Sequence, residues 1–284
     1  AILETYTKEY SAEYQAQALI DIAKKLNKKI RNLKEIKKID IFTSHHTHNV
    51  IGTGANDPQK MNPNSSRETL DHSIMYIFAV ALEDADWHHV KSYTKKRAKR
   101  KSTIKIWHSI KTHEEKKWTK KYHDPNPKNK SFGARVIVTL NNGKEIIAKL
   151  DKADAHPYGT RPFERKNYIN KFLTLTKNSL SKKESDRFLR TAQNLIKLKP
   201  GDLIKLNIEI NKSKLKKNTV FVLSSKIDNA VKPWPNHFPG RLFSTAMHPI
   251  VNCYWRKILK RLTYSVLLPT MTKLTSCHRC WQRV

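Results

Sequence analysis

The chain has 284 residues with 38% apolar content, and its 56 Lys and Arg against 24 Asp and Glu give a formal charge of +32. That length holds one large domain or two modest ones. All three cysteines fall late, at 253, 277 and 280, which excludes a disulfide framework for residues 1–252, and no apolar run approaches the roughly 18 residues of a membrane-spanning helix.

The first residues, from Ala1, read as the middle of a folded segment, so upstream sequence is expected. Leu19, Ile22, Ala23, Leu26 and Ile30 recur at helical spacing over 11–30, with Lys24, Lys25, Lys28 and Lys29 outside the stripe. Residues 38–43 read as a short strand with Ile39 and Ile41 on one face. A polar stretch rich in His, Asn, Gly and Pro, 44–66, reads as a long loop of the kind that carries function. The strongest helix is expected over 67–84, with Leu70, Ile74, Ile77 and Ala81 on one face. Another is expected over 103–122, turning Ile104, Trp107, Ile110 and Trp118 inward.

Residues 134–150 read as a hairpin: Val136, Val138 and Leu140 alternate, and Asn142-Gly143 supplies the turn. Helices are expected at about 163–176 and 184–198, and an alternating strand at 203–210. With no regular βαβ alternation and no repeat, the fold class is α+β, a mostly antiparallel sheet of about four strands packed with helices. The division expected is a folded part, 1–220, and a tail, 221–284. Residues 225–284 hold ten Lys and Arg, one acid (Asp228), all three cysteines and half of the six Trp. That tail reads as a poorly ordered, non-homologous extension, and its Cys277–Cys280 pair is half of a zinc site at most.

An excess of cations admits a polyanion partner such as nucleic acid, acidic lipid or a multiply charged substrate. Here the cations are spread along the chain and Gly numbers only 7. That bias fits drift in an A/T-rich coding sequence better than a nucleic-acid interface. The run Lys95–Lys101, six basic residues in seven, resembles a phosphate-binding or nuclear-localisation stretch but also an ordinary solvated surface. The default reading is a cytoplasmic protein with no membrane role.

Three constellations could carry chemistry. Ser44-His45-His46-Thr47-His48 packs three His into four residues; on a strand, 46 and 48 would share a face. No carboxylate or Cys completes a familiar zinc spacing, so a hydrogen-bonded cluster competes with a metal site. On an unbroken helix, Glu68, His72 and Tyr76 would form one polar stripe, suited to acid–base work or to a satisfied helix face. After the hairpin, Asp154-Ala155-His156-Pro157 leads to Thr160-Arg161-Pro162-Phe163. There Arg161 could fork onto a carboxylate and His156 could carry a proton, or the whole could be a tight loop.

These pieces, in order, resemble the second domain of the MmgE/PrpD family, nearest to its 2-methylcitrate dehydratases. The resemblance rests on Tyr6–Gln15, Thr43–His48, Asp57–Lys60, Arg67–Ile77, Trp87–His89, Tyr122-His123, Phe132–Val136, Ala153–Pro157 and Thr160–Phe163. It implies the lid half of a two-domain hydro-lyase whose helical domain is missing from this chain, with the site between the halves and dimers common. The implied reaction dehydrates 2-methylcitrate to 2-methylaconitate in propionate catabolism, without metal or other cofactor. Lys8 and Tyr76 carry over as proton-handling or charge-stabilising residues with His72 beside them. Lys60, Arg67, His156 and Arg161 carry over to hold the tricarboxylate. A catalytically inactive basic lid that binds polyanions, and a relative closer to cis-aconitate decarboxylase, are the competing readings.

Overall fold

The computed structural model describes residues 8–210. Four strands form one sheet in the order β2-β1-β3-β4, from β1 (Ile36–Thr43), β2 (Ile110–Glu114), β3 (Ala134–Leu140) and β4 (Glu145–Leu150). β1 pairs with β2 in parallel and with β3 antiparallel, and β3–β4 is the antiparallel hairpin. Gly143 closes that hairpin at φ +83°, a conformation that costs a glycine little. The sheet is therefore mostly antiparallel, in a mixed α and β domain.

One sheet face is the core face. Ile39 and Ile41 of β1 and Val136 and Val138 of β3 are completely buried on it. Helices α1 (Gln17–Asn27) and α4 (Ile74–Asp84) pack together, and α1 also packs on the hairpin strands. Every residue of α4 from Ile74 to Leu82 is buried. A helix apolar on all sides belongs in the middle of a structure rather than on its surface.

The opposite face carries Lys38, Asp40 and Phe42 of β1 beside His113 and Arg135. His113 stacks on Phe42 at 4.9 Å, and the Arg135 guanidinium lies 3.9 Å from the centre of the same ring. Asp40 pairs with Lys38 at 2.9 Å and with His113 at 2.7 Å. Charge on this face is compensated locally.

The sequence expectations need four corrections. Residues 44–66 are not a loop: Ser44 caps helix α2 (His45–Ile51), and 3₁₀ turns follow at Thr53–Ala55 and Pro58–Met61. The helix expected over 67–84 is broken into α3 (Arg67–Asp71) and α4. Ser73, at φ −118° and ψ 100°, accepts from Tyr76 N and starts a new helix, and its hydroxyl donates to the Lys60 carbonyl at 2.7 Å. A serine that offers this bond competes with continuing the helix.

After the short helix α5 (Lys95–Ala98), the helix expected over 103–122 is α6 (Lys101–His108), strand β2 and α7 (Lys116–Tyr122). Ile110 and Thr112 face inward and Lys111 outward, a two-residue period hidden between aromatic residues at helical spacing. Finally, 203–210 is no strand. A 3₁₀ turn covers Pro200–Leu206, with Leu203 and Ile204 exposed.

The helices expected near 163–176 and 184–198 form as α8 (Arg165–Thr176) and α9 (Lys182–Gln193). No described helix is long and apolar enough to cross a membrane. The tail, 221–284, lies outside the described residues.

Candidate active site

The site is built around residues 8–13, which form neither helix nor strand. Two buried polar residues one turn apart on α1 hold them. Gln17 Oε1 accepts from Tyr10 N at 3.0 Å, and its Nε2 donates to the carbonyls of Tyr10, Ala12 and Glu13 at 3.1–3.2 Å. Asp21 accepts from the Tyr10 hydroxyl at 2.7 Å and from Asp154 N at 2.8 Å. Burial raises the Asp21 carboxyl above its usual range, against the pull of those two donors. Ser11 O accepts from Trp87 Nε1 at 3.1 Å and from the Tyr93 hydroxyl at 2.9 Å. A buried backbone outside regular structure must find such partners.

On this support Glu13 lies within electrostatic reach of Lys8 and His72. Glu13 is half-buried and caps the turn Tyr14–Ala16 by accepting from Gln15 N. Burial lifts its carboxyl above the usual carboxylate range; Lys8 and His72 lie close enough to pull it partly back. His72 is exposed at the end of α3, and its Nδ1 is 2.9 Å from the Glu68 carbonyl. A carbonyl only accepts, so Nδ1 carries the proton and Nε2 of the neutral ring carries the lone pair.

Residues Glu9, Tyr10 and Ser11 of the segment line an open cleft of about 390 Å³, together with Trp87, His89, Arg161 and Lys171 among others. Arg161 Nη2 donates to both Glu9 carboxylate oxygens, at 2.8 and 2.7 Å. Lys171 Nζ, from α8, donates to the Lys8 carbonyl. The Lys171 ammonium is held below the usual lysine range by burial and then by the Lys8 charge.

Lys60 meets the α3–α4 break through its carbonyl, and Arg67 opens α3. Lys60 pairs with Asp57 at 2.7 Å. The Arg67 guanidinium lies 4.8 Å from the centre of the Tyr93 ring and donates to the His89 carbonyl at 3.1 Å. Burial, then His88 and Arg67, hold the His89 imidazole below its usual range.

His156 stands elsewhere, in the tight loop after the hairpin, where its Nδ1 accepts from Tyr158 N at 3.0 Å. Burial and then Lys152 push it down to about 4. The loop requires Gly159, because a Cβ there would sit 2.2 Å from the Ala153 carbonyl oxygen.

Tyr76 departs most from expectation. The break at 72–73 turns it away from Glu68 and His72, so the expected stripe does not form. It is completely buried, edge-on to Trp107 at 5.0 Å, with its hydroxyl given to the Ser92 carbonyl. Burial pushes the phenol up to about 12.

The three-His run lies on a helix, not a strand, and disperses. His45 pairs with Glu114 at 2.8 Å, His46 stacks on Tyr122 and His48 meets Thr112 Oγ1 at 2.7 Å. Among the described residues no group of three or more His, Cys, Asp or Glu could hold a metal ion. Gly52 and Gly54 allow this packing: a Cβ on either would come within 2.5 Å of Thr112 Oγ1 or His48 Nε2. Thr53 then lines the β2 edge, exchanging bonds with Thr112 at 2.9 and 3.0 Å. The basic run Lys95–Lys101 is partly internal, since buried Arg97 pairs with Glu83 at 2.8 Å and Asp84 at 2.9 Å.

Sequence reasoning missed Glu13, Gln17, Asp21, His89 and Lys171. Gln17 and Asp21 lie opposite the apolar stripe of α1, on the side of Lys24, Lys25 and Lys28, so periodicity marked them as surface although both are buried.

A family model described as the MmgE/PrpD C-terminal domain matches residues 10–197. The chain belongs to the MmgE/PrpD family and represents its C-terminal part, in a family of dehydratases and related lyases.

Proposed function

We propose that this chain is the lid half of a hydro-lyase that converts 2-methylcitrate to 2-methylaconitate, working with the helical domain of the same family. The observation that supports the reading is half-buried Glu13 within electrostatic reach of Lys8 and His72, on a segment whose residues Glu9, Tyr10 and Ser11 line an open cleft with cations on its wall.

Dehydration needs a base for the carbon-bound proton, an acid for the departing hydroxyl, and positive charge for the carboxylates and the enolate-like intermediate. His72 Nε2, with its lone pair fixed by the Glu68 carbonyl, takes the proton. Lys8 holds a carboxylate and offsets the developing negative charge. Glu13, lifted above the usual carboxylate range, is suited to give a proton to the leaving hydroxyl, which departs as water. Solvent then restores both groups. Lys60 and Arg67 remain the proposed outer carboxylate contacts, and His156 a more distant one. Arg161 already gives its Nη2 to the Glu9 carboxylate.

The test supplies 2-methylcitrate to the chain with a separately expressed helical domain of a family member, following enoate absorbance. Turnover that needs both partners and is lost in Lys8→Met and His72→Gln supports the reading. A lid that binds polyanions and leaves 2-methylcitrate untouched would instead show DNA affinity falling steeply with salt.

A further inference from the structure

Nothing in the backbone of residues 8–13 fixes the direction of the Lys8 side chain, because the segment is irregular. The buried pair on α1 reaches Tyr10, Ala12 and Glu13. The two residues ahead of Tyr10 are held differently. Lys171 from α8 grips the Lys8 carbonyl, and Arg161 from the loop after the hairpin grips the Glu9 carboxylate through both of its oxygens. Two cations from separate elements thus hold consecutive residues, and both line the same cleft.

The arrangement has a cost. Lys171 is half-buried, and the Lys8 charge disfavours its own. A surface tether would not need a lysine placed against another lysine. A group that must fix the backbone beneath a reacting ammonium does need a donor at that carbonyl, and Lys171 reaches it from the body of a helix. Arg161 holds the side chain of the next residue, its Nη2 reaching both carboxylate oxygens of Glu9.

We propose that Lys171 and Arg161 are positioning residues that clamp Lys8 and Glu9 and so aim the Lys8 ammonium; this rests on the hydro-lyase reading of Lys8. The carboxylate that Arg161 holds is then the protein's own, not the substrate's. Misplacing a reacting group by about 1 Å costs on the order of a hundredfold in rate while leaving binding largely intact.

The test has two arms. In the full chain, hydrogen exchange over residues 8–13 is compared in the unmodified protein, Lys171→Met, Arg161→Met and Lys171→Arg. In the mixture with the helical domain, kcat and KM are measured for the same set. The clamp predicts faster exchange in both Met variants, kcat down about 10- to 100-fold with KM within about twofold, and substantial rescue by Lys171→Arg. A rise in KM at unchanged kcat would show that these cations hold substrate and would overturn the proposal, as would unchanged exchange and kcat. Should Lys171→Met fail to fold, Arg161→Met against Arg161→Lys gives the same comparison. Full turnover by Lys8→Met would remove Lys8 from the chemistry, and the exchange arm would still decide whether the clamp exists.

Discussion

The Tyr76 hydroxyl donates to the Ser92 carbonyl inside the core, with the Trp107 ring packed edge-on against it. A proton-transferring tyrosine replaced by phenylalanine would lose about a hundredfold in turnover. The buried bond predicts something else. Tyr76→Phe leaves the Ser92 carbonyl without this donor and lowers unfolding stability by about 1–3 kcal/mol. Turnover per folded molecule stays within about twofold. Denaturant unfolding and an active-fraction-corrected assay check the two halves.

Arg97 is a buried cation held by Glu83 and Asp84, with Thr103 accepting a further bond. Arg97→Met removes the buried cation between half-buried Glu83 and exposed Asp84, leaving them to Ser102, Thr103 and Arg100, and is expected to cost about 1–3 kcal/mol. Replacing its exposed neighbours Lys95 and Lys96 is expected to change stability by no more than about 0.5 kcal/mol. Thermal unfolding of the three variants distinguishes an internal ion network from a solvated basic patch.

Glycine at 52 is required by contact rather than by backbone angle. A Cβ there would lie 2.5 Å from Thr112 Oγ1 and 2.7 Å from the His48 carbonyl oxygen, which is backbone and cannot step aside. Gly52→Ala is expected to lose about 1–3 kcal/mol. It should also loosen the Thr53–Thr112 pairing that covers the β2 edge, read as faster amide exchange at Thr112.

The α1 stripe, β1 and the hairpin were legible because their periods are clean. β2 was not: five residues of two-residue period lie between Trp107 and Trp118, whose separation suits a helix as well. Ser73 hid the break between α3 and α4, because apolar spacing runs straight across it while the cap acts through one side chain. The expected strand at 203–210 alternates well, yet no neighbouring strand takes it up, and pattern alone does not supply a partner. Of the site, Lys8 and His72 were named from resemblance, and the charges of both act on Glu13. Glu13 was invisible because its importance lies in burial by distant residues, which spacing does not record. The three His looked like a ligand set in sequence, yet each turns to a different partner once placed on a helix.

His156 supplies a pH dependence. Its folded pKa of about 4 lies below the ordinary histidine value of 6.5, so between those values the unfolded chain binds more protons. Its contribution is full above about pH 6.5 and is lost as pH falls toward 4, amounting to about 1–3 kcal/mol. The difference in unfolding free energy between the unmodified chain and His156→Gln should shrink over that window, while the buried acids Asp21 and Glu13 cancel in the comparison. A difference independent of pH from 7 to about 4 would mean that the imidazole is not held neutral.

The most direct test of the central claim is turnover of 2-methylcitrate by this chain mixed with the family's helical domain, with Lys8→Met as the paired variant. Enoate is expected from the mixture and from neither part alone, with a loss of about a hundredfold or more in Lys8→Met. Full turnover in the Lys8→Met mixture, or by the helical domain alone, would contradict that claim.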